Sequence, residues 1–411
     1  MRYLLKLAAR NLWRQKRRTF LTFLAIAVGL AALIEVDCIM AGVDRDSIDN
    51  LISLETGDVR IQAQGYSAER ESLPIDRTLD PDAVLAALQS AEGIQAATPR
   101  LVFGARLNTG WEEIPVMGVG IDPDRDGQVF TLAEYVEGRW PARGAAEALL
   151  GYDLARVLEL APGDSFTLVT RTRDEAFQAI DLTVAGLIRS PHPQVNSSQV
   201  YLPLDVASQA LALGSAATEV VLKTQDGVRV EDVSKSVRAA LEDTGISGEV
   251  LTWREAARDF LAISQSKQGF SALLIFMILI IAVVGVVNTI LLGAMERVRE
   301  IGMMKAMGMT AREIVLLFML EATGIGVLGS ITGCLIGIAG NAYLVNHGIN
   351  VLKGYQDLDI GYPIAGVIRG AWNWPTIGGA FLLGIVVSWA ASYVPARRIA
   401  AQDPIVSLRQ G

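Results

Sequence analysis

The stretch MERVREIGMMKAMGMTARE, residues 295–313, decides how this chain is put together. Upstream, residues 270–292 carry no charge, and downstream, residues 314–344 carry only Glu321. At about 1.5 Å of rise per residue, the upstream run reaches roughly 34 Å as a helix, enough to cross a bilayer core. Between the two runs sit Glu296, Arg297, Arg299, Glu300, Lys305, Arg312 and Glu313. Charges at that density cannot enter hydrocarbon, because each would lose its hydration. The stretch therefore lies in water between two spans, and its Lys and Arg content assigns it to the cytoplasmic face.

Working outward, charge separates the rest of the chain into two parts. The 411 residues are 51% hydrophobic with a net charge of −8. Residues 44–267 hold 20 basic and 35 acidic side chains, a net of −15, while everything else has a net of +7. A basic membrane part thus carries one large acidic insertion, which argues against nucleic acid as a partner, since phosphate binding needs clustered cations. Cys38 and Cys334 lie far apart in apolar segments, with neither a disulfide framework nor zinc spacing. His192 and His347 have no ligand-like companions and read as structural.

Residues 1–18 read as a cytoplasmic amphipathic helix on the membrane surface. Lys6, Arg10 and Arg14 recur every four residues, with Leu4, Leu5, Ala8, Leu12 and Trp13 as apolar surface. Transmembrane helix 1 follows at 19–43. A secretory signal peptide is the alternative, but no small-residue cleavage site closely follows the apolar core, and residues 35–37 before Cys38 do not form a lipobox. Glu35 and Asp37 near the outer end of this span are either an ion site or groups hydrated or paired at the interface.

Residues 44–268 read as an extracytoplasmic α+β domain with a stalk. Strands are expected at 58–64, 95–106, 115–121, 165–170, 180–188, 199–202, 219–224 and 249–253, and helices at 81–91 and 231–243. Two β-α-β flanks would build a base lobe, with a strand-rich lobe inserted between them. Residues 190–198, with Pro191 and Pro193, read as an exposed connection. A helix from about 253 to 295 is expected to continue through Gly269, the one position where a break is the alternative.

The remaining segments are transmembrane helix 2 at 269–294, the connector at 295–313, helix 3 at 314–344, an outer loop at 345–375, helix 4 at 376–394 and a cytoplasmic tail at 395–411. The chain is thus an α-helical membrane protein of four transmembrane helices with a two-lobed outer domain between the first and second. Of the 16 basic residues outside the insertion, 14 fall on the proposed cytoplasmic side, which places both termini inside. Gly324–Gly329 matches G-x-G-x-x-G, but it lies within an apolar run with no strand before it, which rules out a dinucleotide site. Gly329, Gly333 and Gly337 instead form a smooth face for packing in lipid, against a helix of this chain or of another. Tyr355, Tyr362, Trp372 and Trp374 in the outer loop suit an aromatic belt.

Chemistry of its own is hard to find in this sequence. No G-x-x-x-x-G-K-[ST] occurs, and residues 302–310 only superficially resemble one. With two histidines and no Ser/His/Asp or Cys/His set, general-base schemes have little to use. The connector is the more informative feature. A short helix with Val298, Ile301 and Met304 or Lys305 on one side would stop at Gly308. Thr310 and Glu313 then have capping-box spacing at the start of the next span. At 295–313 the connector is far longer than the ~2–8 residues a helix–helix turn needs, which suits a docking surface for a partner.

Asn288-Thr289, residues 296–302 (ERVREIG) and residues 305–308 (KAMG) resemble the coupling region of MacB/FtsX-type ABC transporter permeases. Glu321-Ala322 in the next span, Arg10-Asn11-Leu12 near the start, and Pro395-Ala396-Arg397-Arg398 with Asp403-Pro404 at the end are similar to that family's other motifs. The resemblance implies a permease subunit, without an ATPase site of its own, that couples a partner's ATP hydrolysis to motion of the outer domain, for export or extraction of cargo. It also implies a cytoplasmic ABC ATPase dimer that binds the ATP and Mg, a second copy or a homologous permease, and a periplasmic carrier, adaptor or hydrolase. Arg299, Glu300, Ile301, Gly302, Lys305, Ala306 and Gly308 would contact the ATPase, in the inner membrane of a bacterium. Unlike MacB itself, this chain is expected to take its ATPase from a separate polypeptide. Its layout is closest to the lipoprotein-releasing LolC/LolE permeases, although the link at residues 170–179 is too short for their carrier hook. The alternative is a force-transmitting protein of FtsX type that moves nothing and switches an extracytoplasmic cell-wall hydrolase.

Overall fold

The computed structural model describes residues 2–14, 16–295, 298–350 and 367–401. Two compact units emerge. One contains Met1–Arg45, Ser264–Val351 and Val367–Gly411, and the other is built on Asp46–Ile263.

The second unit is organised by one sheet of ten strands: β1 (Val59–Gln62), β2 (Ile94–Asn108), β3 (Glu113–Ile121), β4 (Val136–Gly138), β5 (Glu147–Gly151), β6 (Ser165–Arg171), β7 (Phe177–Ile188), β8 (Gln199–Pro203), β9 (Glu219–Thr224) and β10 (Glu249–Thr252). The order is β10-β1-β9-β2-β3-β8-β5-β7-β4, with β6 bridging β2 and β7. β1 and β10 flank each other, and β9 lies antiparallel to both β1 and β2. The units β1–helix–β2 and β9–helix–β10 are therefore split, each with a strand of the other inserted between its own two.

The base and inserted lobes expected from the sequence are not separate sheets. β2 is long enough to belong to both: its first half pairs with β9, and its second half pairs with β3 and β6. What is double is the core. Val59, Ile61, Val84, Val220, Leu222, Val233, Val237 and Leu241 form one cluster beneath the helices Pro81–Ala87 and Val230–Thr244. Leu101, Phe103, Leu107, Leu150, Leu168, Leu182, Val200 and Leu202 form another. The helix Val230–Thr244 ends at Gly245, whose φ of 70° is the left-handed conformation a glycine tolerates best.

β1 is buried on both faces, and the alternation of its side chains sorts them. Val59 and Ile61 enter the apolar core, while Arg60 and Gln62 point the other way to Glu219, each within 3.2 Å of its carboxylate. Nearby, the Arg100 guanidinium donates to both oxygens of Asp126 at 2.8 and 2.9 Å and lies 3.3 Å from the centre of the Phe130 ring. Such buried ions persist because they are paired and hydrogen-bonded.

The connection at residues 190–198 is not exposed, contrary to its proline-rich sequence. Pro193–Ser198 forms a short helix, and Ser190, His192 and Val195 are buried. Asn196 holds the turn by accepting from the Ser190 backbone N–H at 2.9 Å and donating to its carbonyl at 2.8 Å. His192 Nε2 then meets Glu55 at 3.2 Å, and Arg70 reaches the same carboxylate at 3.2 Å. Burial opposes ionisation of Glu55, but the His192 hydrogen bond and charge, with Arg70 and Arg60, outweigh it and hold the group down at about 2 instead of 4.5. Stability from this carboxylate is fully present above pH 4.5 and lost as pH falls toward 2. Acid titration of a fragment spanning residues 46–263 should show this loss, on the order of 2–3 kcal/mol, and Glu55→Gln should flatten that part of the profile.

The helical unit contains Arg2–Arg14, Lys16–Leu51, Arg258–Met295, Val298–Ala306, Ala311–His347 and Trp374–Ala400. Lys16–Leu51 and Arg258–Met295 each continue into the sequence of the sheet unit. Among the described residues three helices are long and apolar enough to cross a membrane: Thr19–Thr56, Ala311–His347 and Trp374–Arg398. Arg258–Met295 runs unbroken through Gly269; the interruption lies instead at Ala257, after the capping-box turn Trp253–Ala256. The last helix passes through Pro395 rather than ending there, so one intrahelical bond is forgone and Ala396 and Ala400 are carried into a buried position.

The glycine face of Ala311–His347 is met by the first long helix of this same chain. A Cβ on Gly329 would lie 2.8 Å from Ile26, one on Gly333 would lie 2.7 Å from the Ala27 carbonyl oxygen, and one on Gly337 would lie 2.9 Å from Ile34. A second small-residue seam joins Ala311–His347 to Trp374–Ala400, where Gly326 faces Ser388 and Gly384 faces Ser330. With no Cβ in the way, backbones approach closely enough for dispersion to hold helices together where lipid supplies no hydrophobic drive. Just before Trp374–Ala400, Asn373 donates to Asp37 at 2.8 Å and the Ala371 N–H donates to the Cys38 carbonyl at 2.9 Å. Asp37 is therefore paired. Tyr355 and Tyr362 lie outside the described residues, while Trp372 and Trp374 stack with ring centres 5.3 Å apart.

Candidate functional site

The connector forms the helix Val298–Ala306, and its composition explains where it stops. Gly308 takes φ of 98°, a conformation that L side chains rarely adopt. Thr310 then caps the following helix: its own N–H donates to Glu313 at 2.8 Å, and its hydroxyl oxygen accepts from the Glu313 N–H at 3.4 Å. Both halves of the capping box are present. Thr310→Ala should cost about 1 kcal/mol, read as a lower midpoint of thermal unfolding of the purified protein, with Thr310→Asn recovering most of that loss.

Ile301 is the buried apolar anchor of the connector helix. Ile301 is 2% exposed and packs with Ile314, Phe318, Ala396 and Ala400, while Met304, Met309 and Val315 close the edges. Leu4 and Ala8 of the N-terminal helix pack on Leu317 beside it. Asn11 donates to Glu321 at 2.5 Å, giving that buried carboxylate one of its partners. Two pairs of positions distant in sequence thus meet, Asn11 at Glu321 and Ile301 at Ala396.

Of the residues expected to meet a partner, Ile301 and Gly302 are buried within this chain, and Ile301 positions the helix through its cluster. Lys305 and Glu300 are half-buried and already engaged within the chain. Ala306 and Gly308 are exposed. Glu296 and Arg297 lie outside the described residues, and Arg299 is described only as part of the helical backbone.

The sequence reading missed the side chains that stand out. Met303 is 47% exposed and Met307 79%, separated by one helical turn with Ala306 between them. The signal lies in GMMKAMGM, where Met303 and Met307 are exposed and Met304 and Met309 half-buried, although charged residues dominate the flanks. Methionine on a free helix face suits a protein partner, because its unbranched thioether adapts to irregular apolar grooves. Glu300→Lys should therefore weaken partner binding less than changes at the two methionines, measured by co-purification.

Among the described residues no group of three or more His, Cys, Asp or Glu side chains could hold a metal ion.

Comparison with known proteins finds two family matches that together cover most of the chain. Residues 19–240 match the MacB-like periplasmic core domain, and residues 272–404 match the FtsX-like permease C-terminal region. An uncharacterised ABC transporter permease of Methanocaldococcus jannaschii is 23% identical over 413 residues, covering 98% of this chain and 96% of that protein. The macrolide export ATP-binding/permease protein MacB of Rhodospirillum rubrum is 26% identical over 432 residues, 98% of this chain but 60% of its own length. The chain thus spans about 60% of the MacB relatives it matches. Among solved structures, the periplasmic region of MacB from Actinobacillus actinomycetemcomitans covers 52% of this chain and 96% of its own, at 16% identity and a TM-score of 0.37.

Proposed function

This chain belongs to the MacB/FtsX-type ABC transporter permeases, and on that premise we propose that it is the membrane subunit through which a separate cytoplasmic ATPase drives an extracytoplasmic domain during export of a cargo. The observation that carries the proposal is the connector helix, whose one face is locked to the membrane helices by Ile301 while Met303 and Met307 are left outward. A helix held in this way passes on a push, where a loose loop would absorb it.

ATP and Mg belong to the partner in this reading. The M. jannaschii relative, an ABC transporter permease by name and matched over 96% of its length, favours an ATPase on another polypeptide. Arg258–Met295 supplies the remaining span, and its exposed residues Leu273, Phe276, Met277, Ile280 and Val284 recur at helical spacing as a stripe toward lipid or a second permease. Both termini and the connector lie in the cytoplasm, and the sheet domain lies outside the inner membrane. The relatives named for macrolide and pyoverdine export favour a transported cargo over force transmission to a hydrolase.

Mass spectrometry of the intact, detergent-purified assembly tests the proposal. Two permease chains with two copies of an ABC ATPase are expected. A chain that co-purifies only with an extracytoplasmic hydrolase, or with no ATPase, contradicts it.

A further inference from the structure

The last helix ends in a feature that neither packing nor the connector uses. Leu382, Val386, Trp389 and Tyr393 are all exposed, and they follow one another at intervals of three or four residues along one side of Trp374–Ala400. The stripe runs into a shallow, open cleft of about 320 Å³ lined by Tyr393, Val394, Arg397, Arg398 and Ala401. Both arginines are exposed, and Ala396 beside them is buried in the connector cluster, which fixes the backbone that carries them.

We propose that this cleft binds the headgroup of an anionic glycerophospholipid, with one acyl chain lying along the Leu382–Val386–Trp389–Tyr393 stripe. The chemistry of each part fits one end of that molecule. Adjacent guanidiniums donate in pairs to phosphate oxygens, and their two positive charges favour a headgroup with net negative charge over a zwitterion whose ammonium they would repel. Tyr393 belongs to both the stripe and the cleft, and an aromatic ring with a polar tip suits the junction of chain and headgroup. The cleft is too small for a whole lipid, so the apolar remainder needs a surface outside it, and the stripe begins where the cleft ends. Basic clefts at the cytoplasmic ends of membrane helices are suited to such headgroups. Placement in the inner leaflet rests on the orientation given under the proposed function; the headgroup chemistry does not.

The test uses the full chain, purified in mild detergent and supplied separately with phosphatidylglycerol or phosphatidylcholine, with bound lipid counted by native mass spectrometry. Wild type is expected to retain phosphatidylglycerol roughly ten- to thirty-fold better than R397Q/R398Q, while R397K/R398K keeps most of the preference. Tyr393→Leu, which leaves both charges, should weaken retention about threefold. Millimolar inorganic phosphate should not displace the lipid; complete displacement would mark a free-phosphate site and overturn the proposal. Equal retention by wild type and R397Q/R398Q, or equal loss of both lipids, also overturns it. A variant that keeps its lipid but loses an ATPase partner would reassign the arginines to protein docking. Lipid counts are read on the permease itself, so absence of an ATPase from the preparation bears only on the proposed function.

Discussion

Gly333→Leu is expected to prevent the first long helix and Ala311–His347 from docking. A Cβ at this position would lie 2.7 Å from the Ala27 carbonyl oxygen and 3.0 Å from the Leu30 Cβ. The nearest atom is backbone, so no rotamer change relieves the clash, and the rest of the leucine has no room beyond it. Overpacking a well-packed site costs about 1–3 kcal/mol when neighbours can give. Here the helices must separate, and the dispersion at Gly329 and Gly337 is lost with them, so the cost should exceed 3 kcal/mol. Gly333→Ala should show the lower figure. Gly379→Ala is the matched control, because its Cβ would meet nothing within 4 Å and helix propensity favours alanine. Thermal unfolding in detergent separates the three: a large fall for leucine, a moderate one for alanine at 333, and no fall at 379.

The second large effect is expected on binding, with little change in folding. Met303→Glu combined with Met307→Glu places two carboxylates on the exposed side of the connector, while Ile301 and its cluster stay intact. If these side chains enter an apolar groove on the ATPase, each loses burial and leaves a charge to be desolvated there. Association should fall on the order of 10²-fold or more, with an unchanged unfolding midpoint for the permease alone. Ile301→Asp should behave in the opposite order. It puts a carboxylate among Ile314, Phe318, Ala396 and Ala400, so the unfolding midpoint drops first and partner binding is lost in consequence.

Much of this organisation was legible because strong, local signals agreed with the tertiary outcome. Thr310 and Glu313 have fixed capping spacing, Gly308 stands where the helix must turn, and β9 at Glu219–Thr224 has the residues of a strand buried on both sides. The glycine spacing at 329, 333 and 337 marks a packing face, but not its partner, since any smooth helix would fit; the fold sets it against Ile26, Ala27 and Ile34. Expectations that depended on distant residues fared differently. Two prolines suggested an exposed loop at 190–198, yet the partner that buries His192 is Glu55, more than a hundred residues earlier. The lobes appeared separate because nothing in the sequence of β2 marks the point at which its partners change from β9 to β3 and β6.

The connector shows the same limit at the level of a site. Its charges mark it as a segment suited to water, but which residues point inward depends on Ala396 and Ala400, contributed by a helix almost a hundred residues later. Once that contact is known, Ile301 becomes an anchor and the methionines become the surface. The Asn11–Glu321 bond makes the same point: each residue belongs to a separate short motif, and only folding shows that the motifs are parts of one junction.

A photocrosslinking amino acid at position 307, activated in intact cells, tests the central claim most directly. If the connector is the cytoplasmic docking surface, the major adduct identified by mass spectrometry is an ABC ATPase, and it disappears when Met303 is changed to glutamate. An adduct to an extracytoplasmic protein would place these residues on the wrong side of the membrane and contradict the account.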